Sequence, residues 1–74
     1  MTRLANLRVG QRARVVNVDG TDDISVRLLE MGLTPGALVS YRGAAPLGHP
    51  REFEVRGYRL SLRKAEAARV EVEP

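Results

Sequence analysis

Arg51-Glu52-Phe53-Glu54-Val55-Arg56-Gly57-Tyr58-Arg59-Leu60-Ser61-Leu62 is a pair of alternating runs joined by the dipeptide Arg56-Gly57. A period of two puts successive side chains on opposite faces of a strand, and a two-residue joint containing glycine is the shortest hairpin loop. Pairing Val55 with Tyr58 sets Phe53 opposite Leu60 on an inward face and Glu54 opposite Arg59 outward, as an opposite-charge pair. Tyr58 and Phe53 then belong to the interior. The same register would turn Arg51 inward opposite Leu62, so the pairing is expected to loosen there.

Upstream of this hairpin, Ala13 to Val18 forms a first strand ending at the Asp19-Gly20 turn. Val16 breaks its alternation and marks either a bulge or a strand covered on both faces. Thr34-Pro35-Gly36-Ala37 carries Pro and Gly at the central positions of a type II turn, which feeds a strand from Ala37 to Arg42. Gly43 to Pro50 is a loop of small residues with two prolines, too long for a tight hairpin and suited to an ordered excursion or a functional projection. Downstream, Arg63 to Ala68 suffices for one helical turn, and Arg69 to Val72 alternates as a closing strand.

Between these strands lies one helix, spanning Thr21 to Leu33. Thr21, Asp22 or Asp23 can cap its N-terminus and complement the dipole, while Gly32 suits the left-handed position after its last turn. Leu33 then folds back on that turn. Ile24, Leu28 and Met31 fall on one stripe and are assigned to the core. Val26 and Leu29 project away from it, leaving an apolar face without an intramolecular role.

Seventy-four residues make a single domain, 1–74, whose core must be aliphatic, since the chain has no Trp, one Phe and two Tyr. The expected fold is mostly β: a small five-stranded barrel, SH3-like or OB-like, with one α-helix and a short helical turn. There is no Cys, so neither a disulfide nor a thiolate metal site supports it. No segment reaches the length of a signal peptide or membrane span, and a cytoplasmic location is expected. The net charge of +3 invites a nucleic-acid reading, but the arginines run from Arg3 to Arg69 and mostly alternate with apolar residues or sit beside acids.

No grouping suggests catalysis. His49 is the only histidine, in a loop of Gly and Pro, and Ser25, Ser40 and Ser61 lie in helix or strand contexts without an elbow motif. Asp22 and Asp23 are explained by capping. His49 with Asp19, Asp22 or Asp23 would be an oxygen and nitrogen set with no ligand spacing behind it. No catalytic, cofactor or metal residue is therefore assigned. What remains is surface: Val26 and Leu29 on the helix, and the Ala44 to Pro50 loop with Leu47 near its tip and His49 beside it. Packing supplies the alternative, with the loop covering the helix and Leu47 plugging the barrel.

In order along the chain, Leu7-x-x-Gly10, Arg27-Leu28-Leu29-Glu30-Met31-Gly32-Leu33-x-Pro35-Gly36, Ala45-Pro46-Leu47-Gly48-x-Pro50 and Leu60-Ser61-Leu62-Arg63 resemble the FeoA family over almost the whole sequence. The resemblance implies an SH3-like barrel and a role as a small cytoplasmic accessory of bacterial ferrous iron uptake. The implied partner is the membrane permease FeoB, met at its cytoplasmic GTP-binding portion on the inner face of the membrane, without insertion into the bilayer and without nucleic acid. Val26, Leu29, Leu47 and His49 are the expected contacts. Two alternatives are a nucleic-acid-binding β-barrel, for which three scattered aromatics are thin support, and a direct Fe²⁺ chaperone using His49 and carboxylates.

Overall fold

The computed structural model, which describes residues 2–74, runs β1 (Thr2–Arg3), a 3₁₀ turn (Leu4–Asn6), β2 (Arg12–Val18), α1 (Asp23–Glu30), β3 (Leu38–Ala44), β4 (Arg51–Val55), β5 (Tyr58–Leu62), α2 (Lys64–Ala67) and β6 (Val70–Glu73). The strands form one antiparallel sheet in the order β1-β6-β2-β3-β4-β5. The architecture is mostly β with one substantial helix, as expected. The sixth strand is β1, whose two residues pair with Val72 and Glu71 and are too few to show a period.

The hairpin adopts the register its alternation dictates, with Val55 opposite Tyr58, Phe53 opposite Leu60 and Glu54 opposite Arg59. Arg56 and Gly57 both have positive φ, 53° and 85°, as a two-residue turn matching the strand twist requires. Three details differ from expectation. Glu54 makes its ion pair with Arg42 of β3, at 3.8 Å, in place of Arg59. Pairing continues to Arg51 and Leu62, because the Arg51 guanidinium is accommodated. It donates from Nη1 to the Ala5 carbonyl at 2.6 Å and lies over the Tyr41 ring. Finally, Tyr58 is 44% exposed, since the strand end reaches the rim of the barrel and the side chain lies against Gly32 after α1.

The break at Val16 is a bulge. The register of β2 against β6 shifts between Val15 and Asn17, which lets Val15 and Val18, three positions apart, both enter the core. A second bulge between Tyr41 and Gly43 carries β3 on to Ala44, beyond the expected end at Arg42. The Thr34–Ala37 turn closes through a hydrogen bond from the Ala37 amide to the Thr34 carbonyl at 3.0 Å, with Gly36 at φ 91°.

The interior is aliphatic apart from Phe53 and Tyr41, whose rings are 5.1 Å apart and tilted by 34°. Leu4 and Leu7 close one end and Leu28 and Leu33 contribute from α1 and its exit, all buried. Helix α1 is shorter than the capping residues allowed, because Asp22 is the cap itself, accepting from the Ser25 amide at 3.2 Å. Its C-terminus ends in paired bonds, Gly32 amide to Leu29 carbonyl at 3.0 Å and Leu33 amide to Leu28 carbonyl at 3.2 Å, with Gly32 at φ 103°. Leu28 is fully buried, whereas Ile24 and Met31 are only partly buried against the core.

Candidate functional site

Loop Ala45–Pro50 is shorter than the sequence suggested, since Gly43 and Ala44 belong to β3. Two hydrogen bonds order it: Gly48 amide to Ala45 carbonyl at 2.7 Å closes a turn over Pro46 and Leu47, and Ala45 amide to Pro50 carbonyl at 3.1 Å ties the ends together. The His49–Pro50 peptide is cis. Leu47 stands at the tip and is 93% exposed, so it does not plug the barrel. A leucine in that position loses nothing on folding and is free to be buried by something else.

Val26 and Leu29 face outward on α1, 49% and 38% exposed. With 100° between successive residues, they lie on one flank of the buried Leu28, and Arg27, Ile24 and Met31 lie on the other. Pro50 meets the second flank. There, Ile24 and Met31 join Pro50, Leu62 and Ala65 in a groove of about 560 Å³, bridged by the ion pair between Arg27 Nη2 and Glu66 Oε2 at 2.6 Å. An adjoining cleft of about 460 Å³ is lined by His49, Pro50, Arg63, Lys64 and Ala65. The two share Pro50, Arg63 and Ala65 and lie side by side.

The four residues singled out in the sequence thus occupy three places. His49 lines the cleft, Leu47 projects from the same loop, and Val26 and Leu29 sit on the flank of α1 turned away from the groove. Ile24 and Met31 were assigned to the core, yet they give the groove its apolar wall. Their position at the edge of the Leu28 stripe is the one signal that could have revealed this, because a stripe flank is where burial by a small sheet gives out.

Two ion pairs tie α1 to the C-terminal segment, Arg27 with Glu66 and Asp22 with Arg69. Asp22 is clamped by Arg69 through Nη1–Oδ1 at 2.5 Å and Nη2–Oδ2 at 2.9 Å. This pairing, followed by the Ser25 amide, lowers the Asp22 carboxyl from 3.8 to about 2. Such a carboxylate is held in place as an anion. Among the described residues, no three His, Cys, Asp or Glu side chains group closely enough to hold a metal ion. No helix among them is long and apolar enough to cross a membrane.

Comparison with known proteins gives a consistent answer. A family model described as the FeoA domain matches residues 2–74. A fusion of Fe(2+) transport protein A with the Fe(2+) transporter FeoB from Porphyromonas gingivalis is 38% identical over 71 residues, 96% of this chain and 8% of that protein. The solution structure of iron(II) transport protein A from Clostridium thermocellum is 32% identical, with a TM-score of 0.90, over 97% of this chain and 44% of the other. A crystal structure of Stenotrophomonas maltophilia FeoA complexed with zinc, described as a prokaryotic SH3 domain protein, is 32% identical with a TM-score of 0.87 over 99% of this chain and 91% of its own. The barrel is accordingly SH3-like. This chain spans less than half the length of the first two of these relatives.

Proposed function

The chain belongs to the FeoA domain family, and on that premise we propose that it serves ferrous iron uptake by binding and modulating a FeoB-type permease at its cytoplasmic GTP-binding portion. The observation that carries this reading is the Porphyromonas gingivalis relative, in which the matching segment and FeoB are one polypeptide. Fusion holds two modules at high effective concentration, so it suits a contact whose own affinity is modest.

Contact, and not chemistry, is the proposed mode of action. Leu47 at the loop tip and Val26 and Leu29 on α1 are apolar side chains that folding leaves in water, and His49 lines the cleft beside the loop. Burying a fully exposed leucine contributes about 2 kcal/mol, enough for one or two such residues to decide a modest affinity. The loop is held by its own hydrogen bonds, so little ordering entropy opposes docking.

The test is a pull-down of the cytoplasmic GTP-binding portion of FeoB, with its GTP turnover measured in the same samples. Leu47→Glu and Leu29→Glu are each expected to reduce capture while circular dichroism stays unchanged. Undiminished capture by both variants would exclude these residues as contacts, and no capture by the unaltered protein would remove FeoB as the partner.

A further inference from the structure

Arginines that look scattered in the sequence converge on one sheet face. The registers Arg12–Ser40, Ser40–Glu54 and Glu54–Arg59 form a single row across β2, β3, β4 and β5. Arg14 opposite Leu38 begins the next row, Arg56 follows from the β4–β5 turn, and Arg42 lies on the other side of the first. Arg12, Leu38, Ser40, Glu54 and Arg56 line a shallow concavity of about 430 Å³ on this face.

The face carries Arg12, Arg14, Arg42, Arg56 and Arg59 against Glu52 and Glu54, an excess equal to the whole chain's formal net charge of +3. Basic and acidic side chains balance elsewhere. Away from the face, Arg3, Arg27 and Arg69 are each paired with a carboxylate, while Arg8, Arg51, Arg63 and Lys64 are not and lie at three separate places, the N-terminal segment, β4 and the start of α2. Among the described residues, Arg12, Arg14, Arg56 and Arg59 have no carboxylate within ion-pair distance. Arg14 and Arg56 donate only to neutral oxygens, the Gly36 carbonyl and the Thr34 hydroxyl. The acidic boundary is β6, where Glu73 lies opposite Arg14.

From this arrangement we infer that the outer face of β2–β5 docks onto an anionic phospholipid surface. Guanidinium groups offer planar forks of donors that match phosphate oxygens, and an open sheet face suits an extended array of headgroups better than a pocket does. Leu38, 41% exposed between Arg14 and Arg56, supplies an apolar side chain at headgroup depth. A nucleic-acid surface fits less well: Tyr41 and Phe53 are buried, and Tyr58 lies against Gly32, leaving the face without an aromatic platform for bases. The choice of lipid over an acidic protein rests on the reading above, which puts the partner in a membrane. Docking by this face would leave the loop and α1 free to meet that partner.

The experiment is flotation of the full chain with vesicles of phosphatidylcholine, alone or mixed with phosphatidylglycerol. Binding is expected only to the mixed vesicles at low salt, and it should vanish at high salt. Arg12→Gln with Arg59→Gln should weaken it about thirtyfold, about fivefold for each arginine. Adding Asp23→Asn and Glu30→Gln restores the net charge away from this face and should not restore binding. Equal binding to both vesicle types, full rescue by those two changes, or tighter binding to a single-stranded RNA oligonucleotide would each overturn the inference. The assay contains no second protein, so its failure leaves the FeoB reading standing, and a failed pull-down removes the ground for choosing lipid over an acidic protein while the flotation result is read independently of it.

Discussion

Arg69, immediately before β6, holds Asp22, the N-cap of α1, through two parallel bonds of 2.5 and 2.9 Å between guanidinium and carboxylate. Residues far apart in the chain thereby fix where the helix starts. The bond depends on an anionic carboxyl, lowered to about 2 chiefly by Arg69 and then by the Ser25 amide. A depressed carboxyl stabilises the fold at pH values above its unfolded value of 3.8, and the contribution is lost as pH falls through about 2. Asp22→Ala should therefore lower the unfolding midpoint at neutral pH, with the difference from the parent closing below about pH 2. Thermal denaturation followed across that range is the measurement, and a constant difference would contradict the assignment.

Gly32 meets two demands at once. Its φ of 103° closes α1, and a Cβ placed there would come within 2.5 Å of the Tyr58 hydroxyl. Gly32→Ala is expected to destabilise by about 1–3 kcal/mol, from backbone strain and displacement of Tyr58. Because Tyr58→Phe removes the clashing oxygen, the double variant should recover part of that loss in denaturant unfolding. Strict additivity would show that the clash does not matter.

Arg51 donates to the Ala5 carbonyl and lies over Tyr41, tying β4 to the turn after β1. Its Nε is buried without a partner, so part of the gain is offset. Arg51→Ala should still cost about 2 kcal/mol, by loss of a charge-assisted bond and of packing on the ring. Hydrogen exchange should report the effect most strongly at the N-terminal segment. Faster exchange confined to the 45–50 loop would contradict this tie.

Leu47 and Leu28 have the same side chain and opposite environments. Leu28→Ala empties a fully buried site and should cost about 2–5 kcal/mol. For Leu47→Ala, at the exposed tip, the expected change is within about 0.5 kcal/mol. Urea denaturation of both variants checks the pair, and a large loss at Leu47 would make the loop part of the core.

Much of the barrel is legible in local sequence because its decisive features have short range. The hairpin register follows from alternation around Arg56-Gly57, the turn at Pro35-Gly36 from the φ each residue permits, and the bulge at Val16 from one apolar residue out of phase. The residues expected to meet a partner were legible only as leftovers, Val26, Leu29 and Leu47 being apolar positions that neither period could absorb. How they sit relative to the loop and groove was not. Helical phase says that Val26 and Leu29 point away from Leu28, but it cannot say that Pro50 arrives on the opposite flank.

By itself the sequence determined a small barrel, its hairpin, the presence of one capped helix and the absence of cysteine chemistry, since each rests on backbone preferences or on composition. The tertiary structure alone decided which distant residues meet. Arg69 with Asp22, Arg51 with Ala5, and Tyr58 with Gly32 are brought together by chain closure, which no local period encodes. The gathering of arginines on the outer face has the same origin: alternation sends Arg12, Arg14, Arg42 and Arg59 outward on their strands, Arg56 joins them from the β4–β5 turn, and only the register between strands makes them one surface.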